Sequence, residues 1–136
     1  MMAITAQDLS KVFAVLQPDM AVAQKTVRPE LYDALDAHYN GFKNHALVAC
    51  HDFSEDWGTW EMHPAGDEIV VLLSGSATMV LWRDGAKESV QLDSSGAYVV
   101  IPRGIWHTAQ VTGPTKMLFI TPGQSTEHGG DPSEAQ

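Results

Sequence analysis

The sequence contains little of what marks several common classes of protein. Only one of its 136 residues is a cysteine, Cys50, which excludes an internal disulfide framework. Its 8 lysines and arginines face 17 aspartates and glutamates, for a formal net charge of -9. Because phosphate binding depends on clustered cations, this balance argues against nucleic acid and anionic membrane as partners.

Long apolar runs are also missing. The longest, such as 12–16, 69–73 and 97–101, have five residues each, far short of the roughly 20 that span a bilayer. The start of the chain lacks the basic and apolar stretches of a secretory signal. We therefore expect a soluble, cytoplasmic protein, and the length and the 44% hydrophobic content predict one globular domain.

The first segment, 1–40, has a helical pattern. Four apolar residues between Thr5 and Pro18 recur at helical spacing, and Pro29 is suited to start a second short helix. The apolar residues of the two predicted helices are Leu9, Val12, Phe13 and Leu16, then Leu31, Leu35 and Tyr39. We expect this segment to pack on the rest of the domain or on a partner.

The second segment, 41–122, reads as β-structure. Eight short apolar stretches alternate with turn signals, and Asp84-Gly85 between two of them is a strong hairpin signal. The predicted strands are 46–51, 59–63, 68–73, 77–82, 89–92, 97–101, 107–111 and 117–121. Short strands at this spacing predict an all-β sandwich or barrel.

The last segment, 123–136, has no large apolar residue, and we expect a mobile polar tail with a solvated His128.

Four side chains with metal-binding chemistry fall within the β-segment. Glu61 and His63 are two residues apart on a strand and share a face. A turn brings Glu68 back towards them, and His107 follows a later turn. Two imidazoles and two carboxylates suit a divalent transition metal with open positions. Taken alone, this spacing also fits two core histidines and two surface glutamates.

The same residues resemble the two signature motifs of the cupin superfamily. The first family motif is Gly-x5-His-x-His-x3–4-Glu-x6-Gly, and here Glu61, His63, Glu68 and Gly75 follow its spacing. The second is Gly-x5-Pro-x-Gly-x2-His-x3-Asn. It is matched by Gly96, Pro102, Gly104 and His107. The resemblance implies a small single-domain cupin with a jelly-roll barrel, which commonly pairs into a homodimer.

Three positions depart from the family pattern. Glu55 stands where the first motif begins with glycine, Val111 where the second ends with asparagine, and Glu61 where the first of the paired histidines belongs. Either Glu61 is a metal ligand in a variant site, or the site has lost its metal. In the second case two carboxylates lie close together, and one should keep its proton with a raised pKa.

The resemblance implies a metal site of Glu61, His63, Glu68 and His107. Two carboxylates make the ligand set oxygen-rich, which favours iron or manganese, with nickel or zinc as further candidates. We expect an apolar pocket for a small-molecule ligand beside it, lined by Val70, Leu72, Val100 and Phe119.

Two classes of function follow from the resemblance. The first is a metalloenzyme acting on a small molecule, of the dioxygenase, isomerase or lyase type. The second is a non-catalytic module that binds or senses a small molecule, with or without metal. Since the fold hosts many chemistries, the motifs do not choose between them.

Overall fold

The computed structural model describes residues 3–134, and within this range the chain is mainly β-structure. It forms eleven strands, one α-helix and two short 3-10 helices. The strands are β1 Val12–Leu16, β2 Val22–Thr26, β3 Ala46–Phe53, β4 Trp60–Met62, β5 Glu68–Ser74, β6 Ala77–Arg83, β7 Ala86–Leu92, β8 Tyr98–Ile101, β9 Trp106–Val111, β10 Thr115–Thr121 and β11 Glu127–Gly129. Helix α1 is Leu31–His38, and the 3-10 helices are Asn40–Phe42 and Pro132–Glu134.

The strands form two antiparallel sheets with the core between them. The six-stranded sheet has the order β2-β1-β3-β10-β5-β8, and the five-stranded sheet has the order β11-β4-β9-β6-β7. Val70 and Met117 from the first sheet join Met79 and Ala109 from the second in one buried cluster. Two antiparallel sheets around one core are consistent with a jelly roll, although the sheets do not close on each other.

All eight strands predicted for the middle of the chain are confirmed, with no end shifted by more than three residues. The hairpin at Asp84-Gly85 is confirmed as well, because Arg83 pairs with Ala86 across it. Asp84 and Gly85 both have positive φ, 55° and 76°, which matches the twist of the adjoining strands.

The first predicted helix is wrong. Residues Val12–Leu16 form strand β1, which pairs with β2 and with β3. Phe13 and Val15 point to the buried side while their neighbours are only partly buried, so an alternating pattern prevails over the helical spacing that begins at Leu9. Pro18 does not end a helix but opens the turn between β1 and β2, where Met20 has a φ of 73°.

The second predicted helix is confirmed as α1, which covers the inner face of the larger sheet. Leu31 and Leu35 are buried against Leu47 and Ala49 of β3. Leu47 and Ala49 lie on the same side of β3 as His51 and Phe53. The helix therefore closes one end of the space between the sheets. Within residues 3–134, we find no helix with the length and apolar character needed to cross a membrane.

The polar tail is more structured than its sequence indicates. Residues Glu127–Gly129 form β11 and pair with β4, with His128 opposite Glu61. The prediction of a mobile tail is wrong for this strand, because its backbone hydrogen bonds replace the apolar contacts that it lacks. The last two positions of the predicted tail, 135 and 136, lie outside the described residues.

Candidate functional site

The four predicted site residues come together at one end of the space between the sheets. Glu61 on β4 lies opposite His107 on β9 in the register of the smaller sheet. His63 follows β4, and the turn after it leads into β5, which begins with Glu68. This turn is held by a backbone hydrogen bond from Gly104 to His63. Two strand pairs and one turn thus place all four side chains.

The distances between these side chains are short. His107 Nε2 lies 3.1 Å from Glu68 Oε1, and His63 Nε2 lies 3.4 Å from Glu68 Oε2. His63 Nε2 is 3.9 Å from Glu61 Oε2. One ligand atom each of Glu61, His63 and His107 falls within 4.8 Å of the others. These three side chains have the span of a single metal site.

Hydrogen bonds behind the two histidines orient their rings. The Thr126 hydroxyl donates to the Gly123 carbonyl, so it accepts from His63 Nδ1 at 2.8 Å. His107 Nδ1 donates to the Ile105 carbonyl at 3.1 Å. A neutral imidazole that donates from Nδ1 has its lone pair on Nε2. Both Nε2 atoms therefore face the site as acceptors, the arrangement of metal-ligating histidines with supporting partners.

Three buried polar atoms at the centre of the site have no hydrogen-bond partner. They are His63 Nε2, His107 Nε2 and Glu68 Oε1, on side chains whose residues are 5%, 0% and 2% exposed. Buried polar atoms are normally paired, and leaving one unpaired costs roughly 1–3 kcal/mol. A cation held between two imidazole nitrogens and a carboxylate oxygen satisfies all three at once, so this donor set fits a divalent metal.

Glu68 is ionised and firmly held. Its Oε2 accepts a hydrogen bond from the Thr121 hydroxyl at 2.6 Å. Burial alone would raise the pKa of the Glu68 carboxyl, but the adjacent imidazoles of His107 and His63 outweigh it and lower the pKa to about 2. Burial would likewise lower the pKa of His107, but the Glu68 carboxylate raises it. For a site without metal, we predicted that one of the two carboxylates has a raised pKa. That prediction is wrong for Glu68.

Glu61 is placed differently from Glu68. Its side chain is 27% exposed, and its Oε1 is hydrogen-bonded to His128 Nε2 at 3.2 Å. An imidazole thus does lie beside the position where the family motif has a histidine, but it comes from the tail strand β11. His128 was expected to be a solvated residue, and instead it contacts the site.

A cavity of about 760 Å³ opens onto three of the four candidate side chains. Glu61, His63 and Glu68 contribute to its wall. Its apolar wall comes from α1, the 3-10 helix Asn40–Phe42, β3, β10 and the loop before β4, through Leu35, Phe42, Leu47, Ala49, Phe53, Trp57 and Phe119. The volume and the apolar lining are those of a small-molecule site.

The pocket prediction is correct for one of its four residues. Phe119 lines the cavity, whereas Val70 and Leu72 are fully buried in the core between the sheets. Val100 is 46% exposed and was wrongly expected there. Residues of β8 alternate, so the inward position next to it belongs to Ile101, which is buried.

Four residues that contribute to the site are not predicted from the sequence. Trp57, Thr121, Thr126 and His128 lie outside the two motifs. Thr121 had a readable signal, because it follows Phe119 by two residues and therefore shares its inward face. Trp57 belongs to a loop tied to β9 by a backbone hydrogen bond to Ala109, a contact that spacing alone does not reveal.

No protein-family model and no curated protein sequence matches this chain. Solved structures do match its fold. A cupin-2 domain containing protein from Shewanella frigidimarina aligns at 22% identity and a TM-score of 0.48, covering 57% of this chain and 70% of that chain. Oxalate oxidase in complex with the substrate analogue glycolate aligns at 21% identity and a TM-score of 0.52, covering 60% of this chain.

Oxalate decarboxylase from Bacillus subtilis aligns at 19% identity and a TM-score of 0.51, again over 60% of this chain. The aligned parts cover 45% of the oxalate oxidase and 23% of the oxalate decarboxylase. At these identities the likeness shows the fold alone, and that fold is the one implied by the two motifs. The fold expected from the motifs is thereby supported, and one ligand atom each of Glu61, His63 and His107 lies close enough to the others that these residues could hold a metal ion.

Proposed function

We propose that this chain is a metal-dependent enzyme that transforms a small molecule in the cavity, with dioxygenase chemistry as the activity that its site supports best. The observation that carries the proposal is the convergence of His63 Nε2, His107 Nε2 and Glu68 Oε1, all buried and unpartnered, beside the cavity. Two histidines and one carboxylate are the donor set of non-haem iron oxygenases. Iron or manganese is the metal that we favour.

Each residue has a distinct part in this proposal. A divalent metal at the site supplies Lewis-acid chemistry and, as iron, activation of oxygen. His63, His107 and Glu68 would hold it, each fixed by a hydrogen bond or a close contact on its far side. Glu61 would be the fourth ligand. Its negative charge and that of Glu68 would together neutralise a divalent ion. The apolar side chains around Phe119 would provide a surface for the apolar part of the small molecule.

A lyase or isomerase is the second candidate, and the position of Glu61 favours it. The Glu61 carboxylate is part exposed, lines the cavity and lies 3.9 Å from His63 Nε2. If three residues hold the metal, this carboxylate is free to take a proton from a substrate and return it. The His128 imidazole would then orient it.

A metal-free binding module is the remaining candidate. The 3.1 Å contact between His107 and Glu68 supports it, because a protonated imidazole beside an ionised carboxylate is a stable ion pair without metal. The small-molecule ligand would occupy the same cavity. Oxalate, named for two of the fold neighbours, does not suit a wall rich in carboxylates, so we do not transfer that substrate to this chain.

The test is oxygen consumption after reconstitution with iron, manganese, nickel or zinc, with phenolic and carbonyl compounds as substrates. We expect turnover with iron that is lost in His63→Ala and kept in His38→Ala, which removes an exposed imidazole from α1. Turnover without oxygen consumption would replace the dioxygenase with a lyase or isomerase. Ligand binding without metal or turnover would leave the binding module.

The homodimer expected from the sequence stays a prediction. Ile69, Val71 and Leu73 alternate with the buried residues of β5 and are only partly buried in the isolated chain. Helix α1 lies on the opposite, inner face and does not cover them. Light scattering of the purified protein is the direct test, and a monomer mass would contradict the dimer.

A further inference from the structure

The wall of the cavity carries more acidic side chains than lysines or arginines. Six carboxylate side chains contribute to it: Asp33, Asp36, Glu55, Asp56, Glu61 and Glu68. No lysine or arginine from the described part of the chain lines it. A divalent metal balances Glu61 and Glu68, so the other four carboxylates keep the cavity negative in the metal-loaded state.

Three of these carboxylates are free to meet a ligand. Asp33 and Asp36 on α1 and Glu55 in the loop before β4 are exposed, and within residues 3–134 they form no ion pair and no side-chain hydrogen bond. Asp56 differs, because its Oδ1 accepts the backbone N–H of Val111 and so ties the loop to β9. The cluster belongs to a built cavity, since the buried and unpartnered His63 Nε2 and Glu68 Oε1 lie in the same wall.

Lysine and arginine side chains line a different cavity. Lys25 and Arg28 line a separate pocket of about 420 Å³ together with the other side of α1, around Ala34 and His38. The helix thus has acidic residues towards the metal site and basic neighbours on its far side. The acidic side chains and these two basic residues therefore line different cavities.

Aromatic rings complete the wall. Phe53 and Trp57 have ring centroids 5.5 Å apart, and Trp57 and Phe119 have centroids 5.9 Å apart. The Trp57 Nε1 atom is buried and has no hydrogen-bond partner. Aromatic faces attract organic cations and stack with flat rings.

We propose that the cavity selects a small aromatic compound that bears a protonated amine and no carboxylate or phosphate. The ring would pack among Phe53, Trp57 and Phe119, and the ammonium group would face Asp33, Asp36 and Glu55. This assignment of a substrate class rests on the proposed function for its chemistry, but the charge preference belongs to the cavity itself. It is therefore testable with and without metal.

Three catechols whose substituents carry a positive charge, no charge and a negative charge provide the probes: dopamine, 4-methylcatechol and 3,4-dihydroxyphenylacetate. We would measure their binding by calorimetry without oxygen, for metal-free and metal-loaded protein, at low and high salt. We expect dopamine to bind most tightly, 4-methylcatechol less tightly and 3,4-dihydroxyphenylacetate most weakly, with a roughly tenfold difference in affinity between the first and the last. The gap should narrow in high salt, because the carboxylates on the wall are exposed.

Variants identify the source of the preference. The double variant Asp33→Asn, Asp36→Asn should reduce the gap between dopamine and 3,4-dihydroxyphenylacetate, whereas Asp84→Asn in the distant hairpin turn should leave it unchanged. Equal affinity for the two probes, an unchanged gap in the double variant, or no binding of any probe would overturn the proposal. If the protein bound no metal but still bound the three probes in the expected order of affinity, the proposed function would be refuted and this inference would stand.

Discussion

His107 Nε2 lies 3.1 Å from Glu68 Oε1, and both atoms are buried without a hydrogen-bond partner. The other oxygen of the carboxylate, Glu68 Oε2, contacts the Thr121 hydroxyl and His63 Nε2. The carboxylate therefore cannot rotate without losing those contacts. Two such groups held face to face need a positive charge between them. That charge is a metal ion in the loaded protein and a proton in the metal-free protein, which gives the site two measurable signatures.

The first prediction concerns the stability of the metal-free protein as pH changes. The pKa of Glu68 is lowered from 4.5 to about 2, so its contribution is present above pH 4.5 and is lost as pH falls towards 2. It amounts to about 3 kcal/mol at 1.36 kcal/mol for each pKa unit. The pKa of His107 is raised above 6.5, so its contribution is complete below that pH and is lost as pH rises through the folded pKa.

The metal-free protein should therefore resist urea best at a pH between these two transitions, that is, between about 4.5 and 6.5. Urea unfolding across the pH range measures this directly. Glu68→Gln should remove the pH dependence of stability in both the acidic and the neutral range, because it deletes the Glu68 carboxylate, which is also the partner of His107. A profile for the wild type that matches that of Glu68→Gln would contradict the assignment.

The second prediction concerns the hydroxyl behind Glu68. Thr121→Val keeps the shape of the side chain but removes the hydrogen bond to Glu68 Oε2 at 2.6 Å. We expect metal affinity to fall about 10- to 100-fold, the usual effect of losing an outer partner of a ligand. Thr121→Ser retains the hydroxyl and should bind metal nearly as well as the wild type. Chelator competition gives both affinities, and equal values for Val and Ser would refute this role.

The third prediction concerns the tail strand. His128→Ala removes the 3.2 Å contact with Glu61 from an imidazole that is 59% exposed, so it should leave stability nearly unchanged. If Glu61 is a ligand, metal affinity should fall by up to about tenfold, because the carboxylate loses its orienting partner. Glu127→Ala on the same strand is the matched control. No difference in affinity between the two variants would separate His128 from the site.

The fourth prediction concerns the last glycine of the first motif. Gly75 has a φ of +81°, and a Cβ there would lie 2.5 Å from the Pro114 carbonyl oxygen. Gly75→Ala should therefore destabilise the protein by more than about 2 kcal/mol, since neither backbone can yield. Gly85→Ala has a similar φ of +76° and open space around it, and should cost only about 1–2 kcal/mol. Equal losses in urea unfolding would show that the contact with Pro114 carries no penalty.

The fold could be predicted where turn residues separate short apolar strands. Signals such as Asp84-Gly85 and Gly75 mark the ends of the eight central strands, and all eight are present. The N-terminal hairpin was missed because Val12–Leu16 is too short for its periodicity to separate strand from helix. Strand β11 was missed because it has no apolar residue, and only its pairing with β4 makes it a strand.

The candidate site could be predicted as far as the two motifs extend. Glu61, His63, Glu68 and His107 were found because their spacing matches a known pattern, and the structure brings them together. His63 is supported by Thr126, which is 63 residues away along the chain. Contacts of that kind depend on how the tail folds back. They leave no local signal in the sequence, and the same holds for His128 beside Glu61.

The most direct test of the account is the metal content of the purified protein and of the protein reconstituted with iron, manganese, nickel or zinc, measured beside Glu61→Ala and His107→Ala. The account predicts close to one metal ion per chain in the wild type and loss of metal in both variants. Metal kept in Glu61→Ala alone would leave a site of three ligands with Glu61 as an acid or base. No metal in the wild type after reconstitution would contradict the metalloenzyme.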